Sequence, residues 1–399
     1  MLIVSDWQRP VSNVRKLMLV VTTLSLGGGA EAQVIDMALG FKHRGWDVEI
    51  VSLLDPEPPV PDFSGTGVRV HSLGMRRGVA DPCAVLRLRS IVRQSRPDVV
   101  HSHMTHANLL TRVARVFAKM PALICTLHGY KMYSVRSNAS ATREFAHRLS
   151  DRLADMTTVV CQAAADRYAR VKVAPPHKLM VVPNGIRTSI YRPDDKLRSA
   201  ERRSLNLGDE FVWLAAGRLE MVKDFDSMLR AFASALDADP WQTLLIAGEG
   251  SLRETLEQTA EALGIADNVR FLGYRADVAS LMRAADAYVM SSIFEGMPLA
   301  LLEAGASELP VVATRVGGNA ETMIEGRSGI LVPPQNHVEL GRAMRQVVEM
   351  TPEDRRAMGR AGGEFVRGKY SLDVVLDHWE GLYSKLMAQP VCALATEAV

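Results

Sequence analysis

Residues 291–306 read SSIFEGMPLALLEAGA and follow an apolar run, Ala287–Met290, that has the look of a strand. Pro298 is well placed in the first turn of a helix that continues through 299–306. A strand running through a short loop into a helix is the repeating unit of a parallel sheet covered by helices. The junction also aims the backbone N–H groups of residues 296–300 out of a helix N-terminus, a ready seat for a diphosphate. Glu295 stands before that helix and Glu303 inside it, eight residues later. A carboxylate accepts two hydroxyl hydrogen bonds well, so each could clasp a vicinal diol, one on a transferred sugar and one on a ribose.

Working outward, the same alternation fills the chain. Strand-like runs are expected at 17–23, 48–53, 68–72, 99–102, 122–127, 157–161 and 179–182, and again at 212–216, 243–247, 269–272, 287–290 and 311–314. Amphipathic helical stretches lie between them, as at 31–43, 85–94 and 106–118. The turn Pro183-Asn184-Gly185 and the charged stretch 191–208 break the series in two. With 399 residues, two doubly wound α/β domains of about 200 residues each are expected. The first covers 1–190 and the second 191–370, with 371–399 a final helix, able to cross back to the first domain, and a tail. In such sheets ligands sit beyond the carboxyl ends of the strands, so two facing domains would leave a cleft between those ends.

Other candidates fall at predicted strand ends. Arg218 and Lys223 follow the strand at 212–216 and supply a bidentate phosphate clamp and a second point charge. His128 ends the strand at 122–127. His101, His103 and His106 form H-x-H-x-x-H, a metal-site spacing that no nearby carboxylate completes. Asp237-Ala238-Asp239 imitates a metal-binding D-x-D but reads better as a solvated turn. Gly27-Gly28-Gly29-Ala30-Glu31-Ala32 satisfies G-x-G-x-x-A, the dinucleotide fingerprint, with Asp47, Glu49 or Asp55 as the acid about 20 residues on. An NAD-dependent oxidoreductase is therefore the alternative from another class. It leaves the Glu295/Glu303 segment unexplained, and Asp47 and Glu49 fall at the wrong end of their strand.

Taken together, FEGMPLALLEA, GRLEMVKD at 217–224, IAGEGSLRETLE at 246–257, VVPNGI at 181–186 and the glycine loop resemble a family 4 retaining glycosyltransferase of the bacterial polysaccharide-biosynthesis type. The resemblance covers about 15–385 and implies the GT-B fold, two Rossmann-like domains facing across a cleft. It implies a hexosyl- or N-acetylhexosaminyl-transferase using a nucleotide-diphosphate sugar, with no metal and no other cofactor. Glu303 would bind the donor ribose. Glu295 and the backbone of Gly296, Met297, Pro298 and Leu299 would hold the transferred sugar, and Arg218 and Lys223 the diphosphate. Tyr274 and Arg275, in the loop after the third strand of the second domain, would read the nucleobase. Gly28 and Gly29 would close on the donor from the opposite wall, and His128 would stand beside the reacting sugar. The acceptor implied is a glycan or a lipid-linked glycan. A sugar-nucleotide epimerase or phosphorylase on the same fold is a further alternative.

Composition agrees with a globular enzyme: 47% hydrophobic, 23% charged, net charge +2. Four cysteines (Cys83, Cys125, Cys161, Cys392) form no C-x-x-C pair and suit a reducing compartment. The apolar run 17–26 is half a membrane span, and 1–16 lacks the pattern of a secretory signal. A cytoplasmic protein is expected, peripheral at the inner face of the membrane if its charge asymmetry is functional. Residues 1–190 hold 25 Lys and Arg against 14 Asp and Glu, or +11; the rest hold 22 against 31, or −9. Cationic segments such as Arg76-Arg77, Lys131 and Arg136 would then face anionic lipid. The arginines are too scattered, with too few aromatics between them, for nucleic acid.

Overall fold

A computed structural model of the chain describes residues 14–129, 139–237 and 239–388. Tyr130, Lys131, Arg136, Ala238 and Cys392 lie outside the described residues. The first sheet comprises β1 (Lys16–Val21), β2 (Asp47–Leu54), β3 (Arg69–Met75), β4 (Val99–His103), β5 (Ala122–Leu127), β6 (Met156–Val159) and β7 (Leu179–Val181), in the order β3-β2-β1-β4-β5-β6-β7. The second comprises β8 (Phe211–Ala216), β9 (Gln242–Ala247), β10 (Val269–Gly273), β11 (Ala287–Met290), β12 (Val311–Thr314) and β13 (Gly329–Val332), in the order β10-β9-β8-β11-β12-β13. Both sheets are parallel, and helices separate most successive strands. The strands lie where the apolar runs predicted them, because most are covered on both faces and so are largely apolar; the edge strand β3, RVHSLGM, is mostly exposed. β13 was not predicted: GILV is only four residues long and begins with glycine.

The described residues divide into two compact units, one of 14–126, 150–156 and 380–388, the other of 127–129, 139–149, 157–237 and 239–379. In the first, Met18, Val20, Val51, Leu88, Val100 and Leu123 belong to one apolar core. Glu380 gathers the Arg15 guanidinium at 3.3 Å, that of Arg44 at 3.2 Å and the Trp46 indole N–H at 3.3 Å. One turn on, the Tyr383 ring packs against Phe41 and Trp46, and its hydroxyl lies 2.7 Å from His101 Nδ1.

In the second unit, apolar clusters line both faces of β8–β13. Buried Trp213 donates its indole N–H to Gln242 Oε1 at 3.0 Å, so the polar tip of this large ring is satisfied inside the core. The helix Leu299–Ala306 rests on the helix Pro352–Tyr370 through Gly305, where an added Cβ would lie 2.9 Å from Val366 Cγ2. This approach fixes the helix that carries Glu303.

Candidate active site

The order of the second sheet reverses between β8 and β11, so the loops after these strands diverge at a topological switch point. One is 217–223 and the other 291–298. Both belong to the second unit, and they are tied together: Ile293 N–H donates to the Val222 carbonyl at 2.8 Å and Ser291 Oγ to the Lys223 carbonyl at 2.7 Å.

Their side chains meet. Lys223 Nζ lies 2.6 Å from Glu295 Oε1, and both side chains are mostly shielded. Ser292, fully buried, donates its hydroxyl to the same oxygen at 2.7 Å, while Thr314 Oγ1 donates to the Ser292 carbonyl at 2.6 Å. The carboxylate is thus held by an ammonium and a hydroxyl before any ligand arrives. From β11 the Tyr288 hydroxyl donates to Ala216 O at the end of β8 and accepts from Ala216 N–H, both at 3.2 Å. Burial, together with the charges of Glu303 and Glu295, raises this phenol well above its ordinary range despite the Ala216 bond.

Backbone packing locks these loops. An added Cβ on Gly296 would lie 2.1 Å from the His128 carbonyl oxygen, and one on Gly317 only 1.8 Å from that of Glu295. Gly318 donates its N–H to Gly296 O at 2.7 Å. Beside them, Gly248 packs on Gly217 O and Gly250 on Leu219 O, closer than any side chain permits. Asn184, buried, donates its amide to Met297 O at 2.8 Å, which ties the VVPNGI segment to the same loop.

The structure brings His128, Lys223, Glu295, Gly296 and Met297 together in this way. Pro298 is the N-cap rather than the first helical residue, and the helix starts at Leu299. Burial lowers the His128 ring to about 4, so its imidazole is neutral at cellular pH and able to donate from one nitrogen while accepting at the other. Arg218 is exposed on its loop, next to Gly217, over which the Lys223 stem passes. Tyr274, exposed, and Arg275 follow β10, where Arg275 is bound to Asp277 at 2.7 Å and Tyr274 N–H reaches Glu249 Oε1 at 3.4 Å. Gly28 and Gly29 lie in the first unit, at the start of the helix Gly29–His43, with the Glu31 carboxylate folded against Gly28. Ser292, Tyr288, Gly317 and Gly318 went unnoticed in the sequence. The glycine pair after β12 was the available signal for the last two.

The other sequence candidates have structural partners. His101 is fully buried between Tyr383 and Thr126 Oγ1, 2.6 Å from the latter. Among the described residues no group of three or more His, Cys, Asp and Glu converges as metal ligands would. Asp239 accepts from Trp241 N–H at 2.9 Å, a turn bond. Asp47 and Glu49 open β2 and both bind Arg69, at 2.9 and 2.6 Å, so neither stands where a dinucleotide ribose would lie.

Residues 28–185 match the glycosyl transferase 4-like domain and 198–365 match the glycosyl transferases group 1. The chain is 31% identical to a D-inositol 3-phosphate glycosyltransferase of Geodermatophilus obscurus, with 93% of this chain and 88% of the relative aligned. It is 27% identical to an Escherichia coli UDP-Gal:alpha-D-GlcNAc-diphosphoundecaprenol alpha-1,3-galactosyltransferase over 60% of this chain and 64% of that one. In fold it is similar to HepE of Anabaena in complex with UDP (TM-score 0.79, 22% identity, 93% and 100% covered). A sucrose-phosphate synthase of Thermosynechococcus elongatus is equally similar (TM-score 0.81, 22% identity, 94% and 99% covered). The oxidoreductase reading gives way to these matches, and the chain belongs to the family 4 glycosyltransferases of the GT-B fold.

Proposed function

We propose that this glycosyltransferase takes a hexosyl or N-acetylhexosaminyl group from a nucleotide-diphosphate sugar and passes it, with retention, to a glycan or lipid-linked acceptor in cell-surface polysaccharide synthesis. The observation that carries the reading is the Lys223–Glu295–Ser292 constellation at the β8/β11 switch point. A diphosphate arriving there competes for Lys223 and leaves the Glu295 carboxylate to accept sugar hydroxyls. Arg218, Lys223 and the N–H groups near Gly296 neutralise the leaving diphosphate as the anomeric C–O bond breaks. The bond to the acceptor oxygen forms as the acceptor proton passes to a phosphate oxygen of the leaving group. Neutral His128 stands beside the reacting sugar, Glu303 holds the ribose, Tyr274 and Arg275 border the base, and Gly28 and Gly29 cover the phosphates. In this reading residues 1–190 recognise the acceptor and 191–370 the donor. HepE holds UDP in its structure, and the E. coli relative is named for a UDP-sugar and a diphosphoundecaprenol acceptor, which supports both halves of the reaction. Among the described residues no helix is long and apolar enough to cross a membrane. In this reading the chain meets a lipid-borne acceptor as a peripheral protein at the inner face of the membrane.

A thermal-shift screen of nucleotide sugars tests the reading. One of them should raise the melting temperature by a few degrees near saturation, in chelator as well as without it. Stabilisation by NAD and by no nucleotide sugar would contradict it.

A further inference from the structure

Two adjacent helices of the first unit, Cys83–Ser95 and Thr105–Arg115, carry a surface that none of these roles uses. Residues 83–119 contain six arginines and a lysine against one acid, Asp98, whose carboxylate accepts from Lys16 N–H. Of the arginines, Arg112 is fully buried beside Asp151, and Arg87 is bound to Asp81. Cations near helix ends ordinarily complement the carbonyl dipoles, and part of the set does so. Arg89 donates to Phe117 O at 3.1 Å, and Arg115 to Leu153 O at 3.0 Å and to Asp155 at 2.7 Å. That does not explain the apolar side chains among them. Leu86 is 56% exposed, Val113 44%, Val116 62% and Phe117 54%. Leu86, Arg89 and Arg93 share one face of the first helix, and Val113, Val116 and Phe117 one side of the second and its end. Between them lies a groove of about 620 Å³ lined by Arg93, Arg96, Arg115 and Lys119.

We infer that this helix pair is a docking surface for an anionic lipid bilayer, an inference that rests on the lipid-borne acceptor proposed above. Charge complementarity names the occupant. A segment with one partly buried acid and with Arg93, Arg96 and Lys119 exposed is drawn to phosphate headgroups, and each Lys or Arg near such a surface strengthens binding several-fold. Arg89 and Arg93 share the face of Leu86, and Arg115 and Lys119 flank Val113, Val116 and Phe117 in sequence. A protein interface core is instead one continuous patch depleted of charge. At a membrane, long cationic stems place their heads among phosphates while leucine, valine and phenylalanine reach the acyl boundary. Arg76 and Arg77, expected from sequence to serve this end, fit it less well, because Arg77 is paired with Glu57 at 2.9 Å.

The test is co-sedimentation of the full chain with phosphatidylcholine vesicles, with and without phosphatidylglycerol, at low and high salt. Binding is expected only with phosphatidylglycerol and should fade at high salt. Arg93→Glu with Lys119→Glu should weaken it by about tenfold or more, and Phe117→Ser should weaken it with no charge change. Arg76→Glu with Arg77→Glu should have a smaller effect. Nucleotide-sugar thermal shifts run on the same variants should be unchanged, so failure of the donor reading shows there and not in sedimentation. Equal binding to neutral vesicles, no binding by the natural chain (as with a purely proteinaceous partner), or helix-pair variants that bind like the natural chain would overturn the inference.

Discussion

Two glycine-bearing loops, one in each unit, look alike in sequence and differ in structure. Gly27 and Gly28 open the helix Gly29–His43. The nearest atom to an added Cβ on Gly27 is Ser25 Oγ at 3.6 Å, and on Gly28 it is the movable carboxylate of Glu31. Gly296 and Gly317 are instead pressed against backbone carbonyls of His128 and Glu295. The first loop leaves room beside its glycines; in the second the glycines are part of the wall that fixes Glu295. A spacing motif such as G-x-G-x-x-A therefore says less about a site than glycines that close on backbone from distant parts of the chain.

Alanine substitution tests this contrast most sharply. At Gly317, with φ +49° and Glu295 O at 1.8 Å from the new Cβ, alanine must displace the loop. Gly317→Ala should cost about 2–4 kcal/mol of stability and reduce turnover by about 10² or more. Gly28→Ala needs only a rotation of Glu31 and should shift stability by about 1 kcal/mol or less. Chemical denaturation of both variants checks the pair. Equal losses would erase the contrast.

A smaller effect is expected within the locked loop itself. Lys223→Ala leaves the Glu295 carboxylate with the Ser292 hydroxyl and strips a charge from the proposed leaving-group site. Its kcat/KM should fall by about 10², chiefly through kcat, with the fold retained. Near-normal turnover at saturating donor would show that the ion pair is structural.

The fold was legible because buried parallel strands must be continuous apolar runs, and those runs marked all but β13. The loop and helix that carry Glu295 and Glu303 were legible because a strand, a proline and an apolar helical run lie close together in sequence there. Ser292 was not, since its meaning depends on a hydroxyl bond to Glu295 and on Thr314, 22 residues away, holding its carbonyl. Gly317 and Gly318 escaped for the same reason: the glycine pair after β12 is visible in the sequence, but its close approach to Glu295 and Gly296 is a property of packing. His101 and His103 carry a metal-like spacing that no carboxylate completes among the described residues, and the first of them is bonded to Tyr383 and Thr126 in the buried core.

The central claim, that the β8/β11 switch point holds a nucleotide diphosphate with Glu303 on the ribose, is tested most directly by calorimetric titration with nucleoside diphosphates. The natural chain should bind one of them in the presence of chelator. Glu303→Gln should bind it about 1–3 kcal/mol more weakly, the loss expected for hydrogen bonds to a charged acceptor. Equal affinity in the two proteins, or binding that disappears with chelator, would contradict the account.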